Sequence, residues 1–149
     1  MTTHRSRSNC IVGRTAIPPL EIMHIIEHPS LVHSLLKLSQ QMHSEEYILL
    51  LIDIHDYHNS DAYQRLEKAS FIYRTYIHPM SPMDVGVSQK TRRDIQRKIF
   101  EEEGILSRNV FSELECEVIR CTDDMLSKFK SHPVCVEITN QRMASIGNH

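Results

Sequence analysis

The chain is 149 residues long, with 40% hydrophobic and 24% charged residues, the balance of one globular domain with a sizeable core and too short for two ordinary ones. Its net charge of −2 argues against a dedicated nucleic-acid binder, which is usually basic overall. Cys10, Cys116, Cys121 and Cys135 show no C-x-x-C or paired spacing, so they read as reduced thiols of a cytosolic protein and not as a zinc framework.

Residues 1–17 read as a flexible basic arm: polar, with no apolar segment behind them that would make a secretory signal. A domain over 18–140 and a tail over 141–149 follow. Leu20, Met23 and Ile26 open the helical spacing, which stops at His28-Pro29; Leu31, Leu35 and Leu38 continue it in a second helix. Ser44-Glu45-Glu46 then forms a polar helix start, with Ser44 placed to cap and the two acids set where the helix dipole favours anions. The aliphatic run Ile48–Ile52 leaves this third helix no polar face, so it must be buried on several sides. The same run is far too short to span a bilayer.

Asn59-Ser60-Asp61 marks a break and a new helix start. Leu66, Ala69, Ile72, Tyr73 and Tyr76 make the apolar stripe of a long helix that ends before His78-Pro79; Tyr63 belongs to the same core-and-rim spacing. Residues 78–87 contain Pro79, Pro82 and Gly86 and must form an irregular loop. Ser88 caps a basic helix over Gln89–Phe100, with Ile95, Ile99 and Phe100 facing inward. Glu101–Glu103 and Gly104 end it. A last long helix from about Ser107 aligns Phe111, Leu114, Val118 and Cys121 and bends or restarts near Asp123-Asp124; Leu126 and Phe129 continue its apolar face. His132-Pro133 closes it, and Val134–Ile138 forms a short terminal segment. The pattern is all-α, with no repeat and no βαβ signature.

Four segments in this order carry a family resemblance. Ser44-Glu45-Glu46 with the apolar helix and Asp56-Tyr57 resembles the S-E-E-N segment and its E-x-Y continuation in regulators of G-protein signalling (RGS domains). Ala69 to Ile77 resembles that family's A-x-x-I-Y-x-x-[FY]-I helix. Asp84-Val85-Gly86-Val87-Ser88-Gln89-Lys90-Thr91-Arg92 resembles its E-[VI]-N-L-D-x-x-T-R loop and helix start. Phe129, with Val136-Glu137-Ile138-Thr139-Asn140, is similar to the family's domain end. The likeness covers roughly residues 20–140.

The resemblance implies an RGS-like fold of about nine helices: a central four-helix bundle beside a subdomain made from the N- and C-terminal helices. It implies that loops and helix ends grip the switch regions of a GTP-loaded Gα subunit and accelerate its GTP hydrolysis, with no chemistry and no cofactor of this chain's own. It carries the contact onto Glu46, Tyr47, Asp84, Gly86, Ser88, Gln89, Arg120, Asp124 and Lys128. Several of these depart from the family pattern. Tyr47 and Gly86 stand where the family has asparagine, and Leu51 where it has tryptophan. The contact leucine falls on Arg120 or Cys121, and the family arginine on Lys128, which keeps charge without the planar fork. The alternative is therefore an RGS-like interaction module without GTPase-activating activity.

Other readings of the residues stay beside these. Glu46 also serves as a plain dipole complement, Gly86 as a φ > 0 position and Asp124 as a helix cap. Asp53, His55, Asp56 and His58 raise a metal site, against which stands their spread over the helix faces; His24 and His28, one turn apart, could meet a metal but read as a surface or core pair. Lys90, Arg92, Arg93, Arg97 and Lys98 make either a solvated basic face or a contact with anionic lipid at the inner face of the plasma membrane; Arg5, Arg7 and a lipidated Cys10 would support the latter. A monomer is expected.

Overall fold

The computed structural model describes residues 21–134, 136–137 and 140–141. The basic arm 1–17, Leu20, Cys135, Ile138, Thr139 and the tail from 142 lie outside the described residues. Every regular element among them is helical: α1 Ile22–Ile26, α2 Pro29–Gln41, α3 Glu45–His58, α4 Ala62–Ile72 with a π-helical extension Tyr73–Ile77, α5 Gln89–Phe100, α6 Ser112–Cys121 and α7 Asp123–Phe129. No helix among the described residues is long and apolar enough to cross a membrane. The chain divides into two compact units, one of residues 46–120 and one formed by the two flanks, 1–45 and 121–149.

In the flanking unit, α1 opens with a capping box in which Glu21 and His24 satisfy each other's backbone N–H groups. Extended His28 leads into α2, which starts on Pro29, where the missing N–H costs nothing. Leu31 and Leu35 are buried, and Ser39 takes the next inward position in place of the expected Leu38, which is only half-buried. The small serine is satisfied there because its hydroxyl donates to the Leu36 carbonyl at 2.7 Å. α2 ends in a Schellman turn: Ser44 N–H reaches the Ser39 carbonyl at 2.9 Å and His43 N–H the Gln40 carbonyl at 3.1 Å. His43 occupies the left-handed position at φ 56°, where glycine is usual. α2 packs against α7, which buries Met125 and Phe129 one turn apart. The break that precedes α7 falls at buried Thr122, whose φ −97° and ψ 2° are not helical.

The 46–120 unit is built on α3. Ile48, Leu50, Leu51, Ile54 and Tyr57 are all fully buried and point around the helix in several directions, as a helix without a polar face requires. Tyr57 meets Phe111 edge-on at 5.0 Å and donates to the Ser107 carbonyl at 2.7 Å, which ties the end of α3 to the segment before α6. Arg65 holds the same segment through the Leu106 carbonyl at 2.9 Å. α4 starts on a capping box between Asp61 and Gln64, and packs against α5.

Three inward expectations fail. Leu66 on α4 is 55% exposed, Phe100 is 52% exposed, and Cys121 is exposed while Cys116 is buried; Tyr63, of the core-and-rim set, is 80% exposed. Ala69, Ile72, Tyr73, Tyr76 and Ile77 suffice to fill the inner side of α4, and Phe100 lies edge-on against Tyr73 at 5.3 Å from the rim. The last long helix also begins later than expected. Ser107 accepts from Asn109 N–H through its hydroxyl at 3.0 Å, a local turn that competes with helix until Ser112.

Candidate functional site

α4 cannot close its last turn in the ordinary way. The carbonyl of Thr75 would normally bond the N–H four residues on, which is Pro79 and has none. The turn Tyr73–Ile77 instead widens to π geometry, with His78 N–H reaching the Tyr73 carbonyl at 2.9 Å. The Thr75 and Tyr76 carbonyls then accept from Met83 N–H at 3.1 Å and Val85 N–H at 3.2 Å. Met80 N–H, the usual partner for Tyr76, donates to His78 Nδ1 at 3.0 Å. The 78–88 loop is thus hung from the end of α4, and Val85 and Val87 anchor it by burial.

Between those anchors Gly86 stands exposed at φ +67°, with open space where a Cβ would be. Its N–H donates to Asp84 Oδ1 at 2.9 Å, and Asp84 faces Arg92 at 3.7 Å. The loop ends on Ser88, which caps α5 by accepting from Thr91 N–H at 3.3 Å. Glu117 on α6 underpins that cap. Its carboxylate accepts from Ser88 N–H at 3.1 Å and from the hydroxyl of buried Thr91. Asp84, Gly86 and Ser88 are therefore presented on a loop with fixed ends, next to Gln89 at the first position of α5, and Glu117 connects them to the helix whose last turn carries exposed Arg120.

The other expected site residues are placed as follows. Glu46 and Tyr47 are half-buried in the first turn of α3, and Glu46 makes no side-chain hydrogen bond or ion pair with a described residue. Asp124 and Lys128 are exposed on α7 in the flanking unit and pair with each other one turn apart at 3.4 Å. Leu51 is completely buried and takes no part in a surface.

The acids and histidines of α3 do not converge. Tyr76 hydroxyl donates to Asp53 Oδ2 at 2.6 Å, Lys68 pairs with Asp56 at 2.7 Å, and His55 lies against Asn59 at 3.3 Å. No three His, Cys, Asp or Glu side chains among the described residues could hold a metal ion. Burial raises the Asp53 carboxyl above its ordinary range, with the Tyr76 bond pulling it down and Asp56 pushing it up. Burial and then Asp53 raise the Tyr76 phenol, which stays the donor. Glu115 is raised by burial alone and His58 is lowered, again mainly by burial.

Sequence reasoning missed Glu117. Its position three residues after Leu114 and next to Val118 sets a carboxylate on the inward side of α6, a signal that a charge on an apolar stripe has a partner to meet. The model of one protein family, described as the Regulator of G protein signaling domain, matches residues 21–134. No curated protein matches the chain.

Proposed function

The chain belongs to the regulator of G protein signaling domain family, and from that premise we propose that it binds the switch regions of a GTP-loaded Gα subunit and accelerates GTP hydrolysis. The observation that carries this reading is the Asp84–Gln89 loop, the family-like contact segment, held at both ends before any partner arrives. Gα carries its own arginine in cis, so a partner need only hold the switches in the arrangement of the transition state. A loop with pre-set backbone loses little entropy on docking, and positioning of this kind lowers the barrier on the partner.

Glu46 and Tyr47 at the start of α3, Asp84, Gly86, Ser88 and Gln89 on the loop, Arg120 on α6, and Asp124 and Lys128 on α7 form the contact set. Gly86 offers no side-chain amide to the Gα glutamine that orients water. Its contribution is a backbone turn. Tyr47 supplies an amphipathic ring of the kind favoured at interfaces. The chain performs no bond chemistry itself. Exposed Lys90 and Arg93 on α5 would favour a position beside anionic lipid at the cytoplasmic face.

Gly86 and Arg120, where the family has a side-chain amide and an apolar contact, favour a second reading: a docking module that binds without accelerating. Binding to a panel of Gα subunits in the GDP, GTP-analogue and GDP–aluminium fluoride states, with single-turnover GTP hydrolysis, separates the two. Selective capture of the aluminium fluoride state with faster hydrolysis is expected. Equal binding in all states without faster hydrolysis supports the second reading, and no binding by any Gα removes the first and leaves a docking module for another partner.

A further inference from the structure

We propose that Tyr76 and Asp53 act as positioning residues that set the 78–88 loop for Gα contact, an inference that rests on the function just proposed. Tyr76 works at two points. Its backbone carbonyl holds Val85 N–H at 3.2 Å, and its hydroxyl is held by Asp53 Oδ2 on α3 at 2.6 Å. Beyond His78, which closes the turn itself, the loop's backbone attachments to α4 among the described residues are Met83 to Thr75 and Val85 to Tyr76, and both acceptors sit on the π-helical turn. Any rotation of that turn about the helix axis carries Met83 and Val85 with it, and Gly86 follows directly in the chain. The phenol–carboxylate bond is a polar, directional constraint that opposes such a rotation, because it fastens the turn to α3, beside the edge-on packing of Tyr73 on Phe100.

The core does not require this bond. Phenylalanine at 76 would fill the same volume, and an aliphatic residue at 53 would avoid the desolvation that the carboxylate suffers. A polar pair in that position contributes orientation, since it is satisfied in one arrangement of the two helices. The second polar bond between α3 and α4, Asp56 to Lys68, cannot substitute. The Asp56 side chain is 64% exposed, so water screens it, and Lys68 lies two turns before the loop attachments.

Amide hydrogen exchange read by NMR on the whole chain without ligand tests the structural half, using Tyr76→Phe, Asp53→Leu and Asp53→Asn. Tyr76→Phe and Asp53→Leu are expected to speed exchange at Met83 and Val85 about tenfold relative to Leu50 and Ile54, which report the core. Asp53→Asn keeps an acceptor oxygen and is expected to restore most of the protection. Acceleration spread equally over the loop and the core amides, or none at Met83 and Val85, overturns the proposal. The functional half is read with a Gα that wild type accelerates: Tyr76→Phe should raise the half-saturating concentration about tenfold, and Asp53→Asn should not. Unchanged acceleration by a variant whose loop amides have loosened also overturns it. If wild type accelerates no Gα, the proposed function falls, while the exchange result alone still decides whether this pair sets the loop.

Discussion

Replacing Glu117 tests whether the contact loop is fixed by the α6 carboxylate. In the folded chain this carboxylate accepts from the exposed backbone N–H of Ser88 at 3.1 Å and from the hydroxyl of Thr91, which is 3% exposed. A hydrogen bond to a charged group contributes about 1.5–3 kcal/mol where water is excluded, and less where water can replace the partner. The Ser88 bond falls in the second class and the Thr91 bond in the first. Thr91 keeps its contact with Ser88 Oγ at 2.9 Å, which limits the loss. Glu117→Ala should therefore cost about 2 kcal/mol, and slightly less on the measurement because alanine favours helix. Glu117→Gln keeps an oxygen for Ser88 but sets an amide donor where the Thr91 hydroxyl had its acceptor, so that hydroxyl must turn to Ser88 Oγ, and the change should cost about 1 kcal/mol. Urea unfolding followed by circular dichroism gives both numbers, and the melting temperature should fall by about 4–8 °C for the alanine variant. If alanine leaves the urea midpoint unchanged, the carboxylate does not hold the loop.

Gly86→Ala should destabilise by about 1–2 kcal/mol, from the left-handed φ alone, because nothing lies within 4 Å of the added Cβ; a neutral melting curve would refute this. Gly86→Asn tolerates the same φ better and should raise GTPase acceleration in a single-turnover assay if the loop meets the switch region. Phe111→Ala empties a fully buried site against Tyr57 and should cost about 3–5 kcal/mol in urea unfolding. A loss below 1 kcal/mol would place that ring outside the core. Glu115 is raised by burial, so the fold binds its proton more tightly than the unfolded chain does. Its stabilising contribution is present in acid, below the ordinary glutamate value of 4.5, and is lost as pH rises through the folded pKa. Glu115→Gln should therefore raise the urea midpoint at neutral pH and leave it unchanged in acid; the reverse order would contradict the sign.

Elements signalled by chemistry close in sequence were legible beforehand. The acidic first turn and aliphatic run of α3, the Ser88 cap and the stop at His28-Pro29 all depend on neighbours a turn away. Features whose partners lie far along the chain were not. Pro79 announces that a helix ends, but nothing in Tyr73–Ile77 says that the ending will be π-helical and that Met83 and Val85 will complete it. His43 hid a Schellman turn because glycine is its usual marker. Periodicity marked a wider stripe than the core had room for, which is why Leu66, Phe100 and Cys121 emerged at the surface. Asp53 drew notice as a metal ligand, and its partner proved to be a phenol that lies 23 positions away.

The division of the chain bears on how it is made. The 46–120 unit is one continuous stretch, whereas the flanking unit needs α2 from one side of it and α7 from the other. A ribosome adding about 5–20 residues per second delivers the whole continuous unit before Phe129 exists. α2 has α1 beside it from the start but must wait for α7, its packing partner from the other flank. A chain that ends after Cys121 and is released from the ribosome should accordingly protect α3 to α6 from protease while α2 is still cut, and the order of birth then becomes the order of folding.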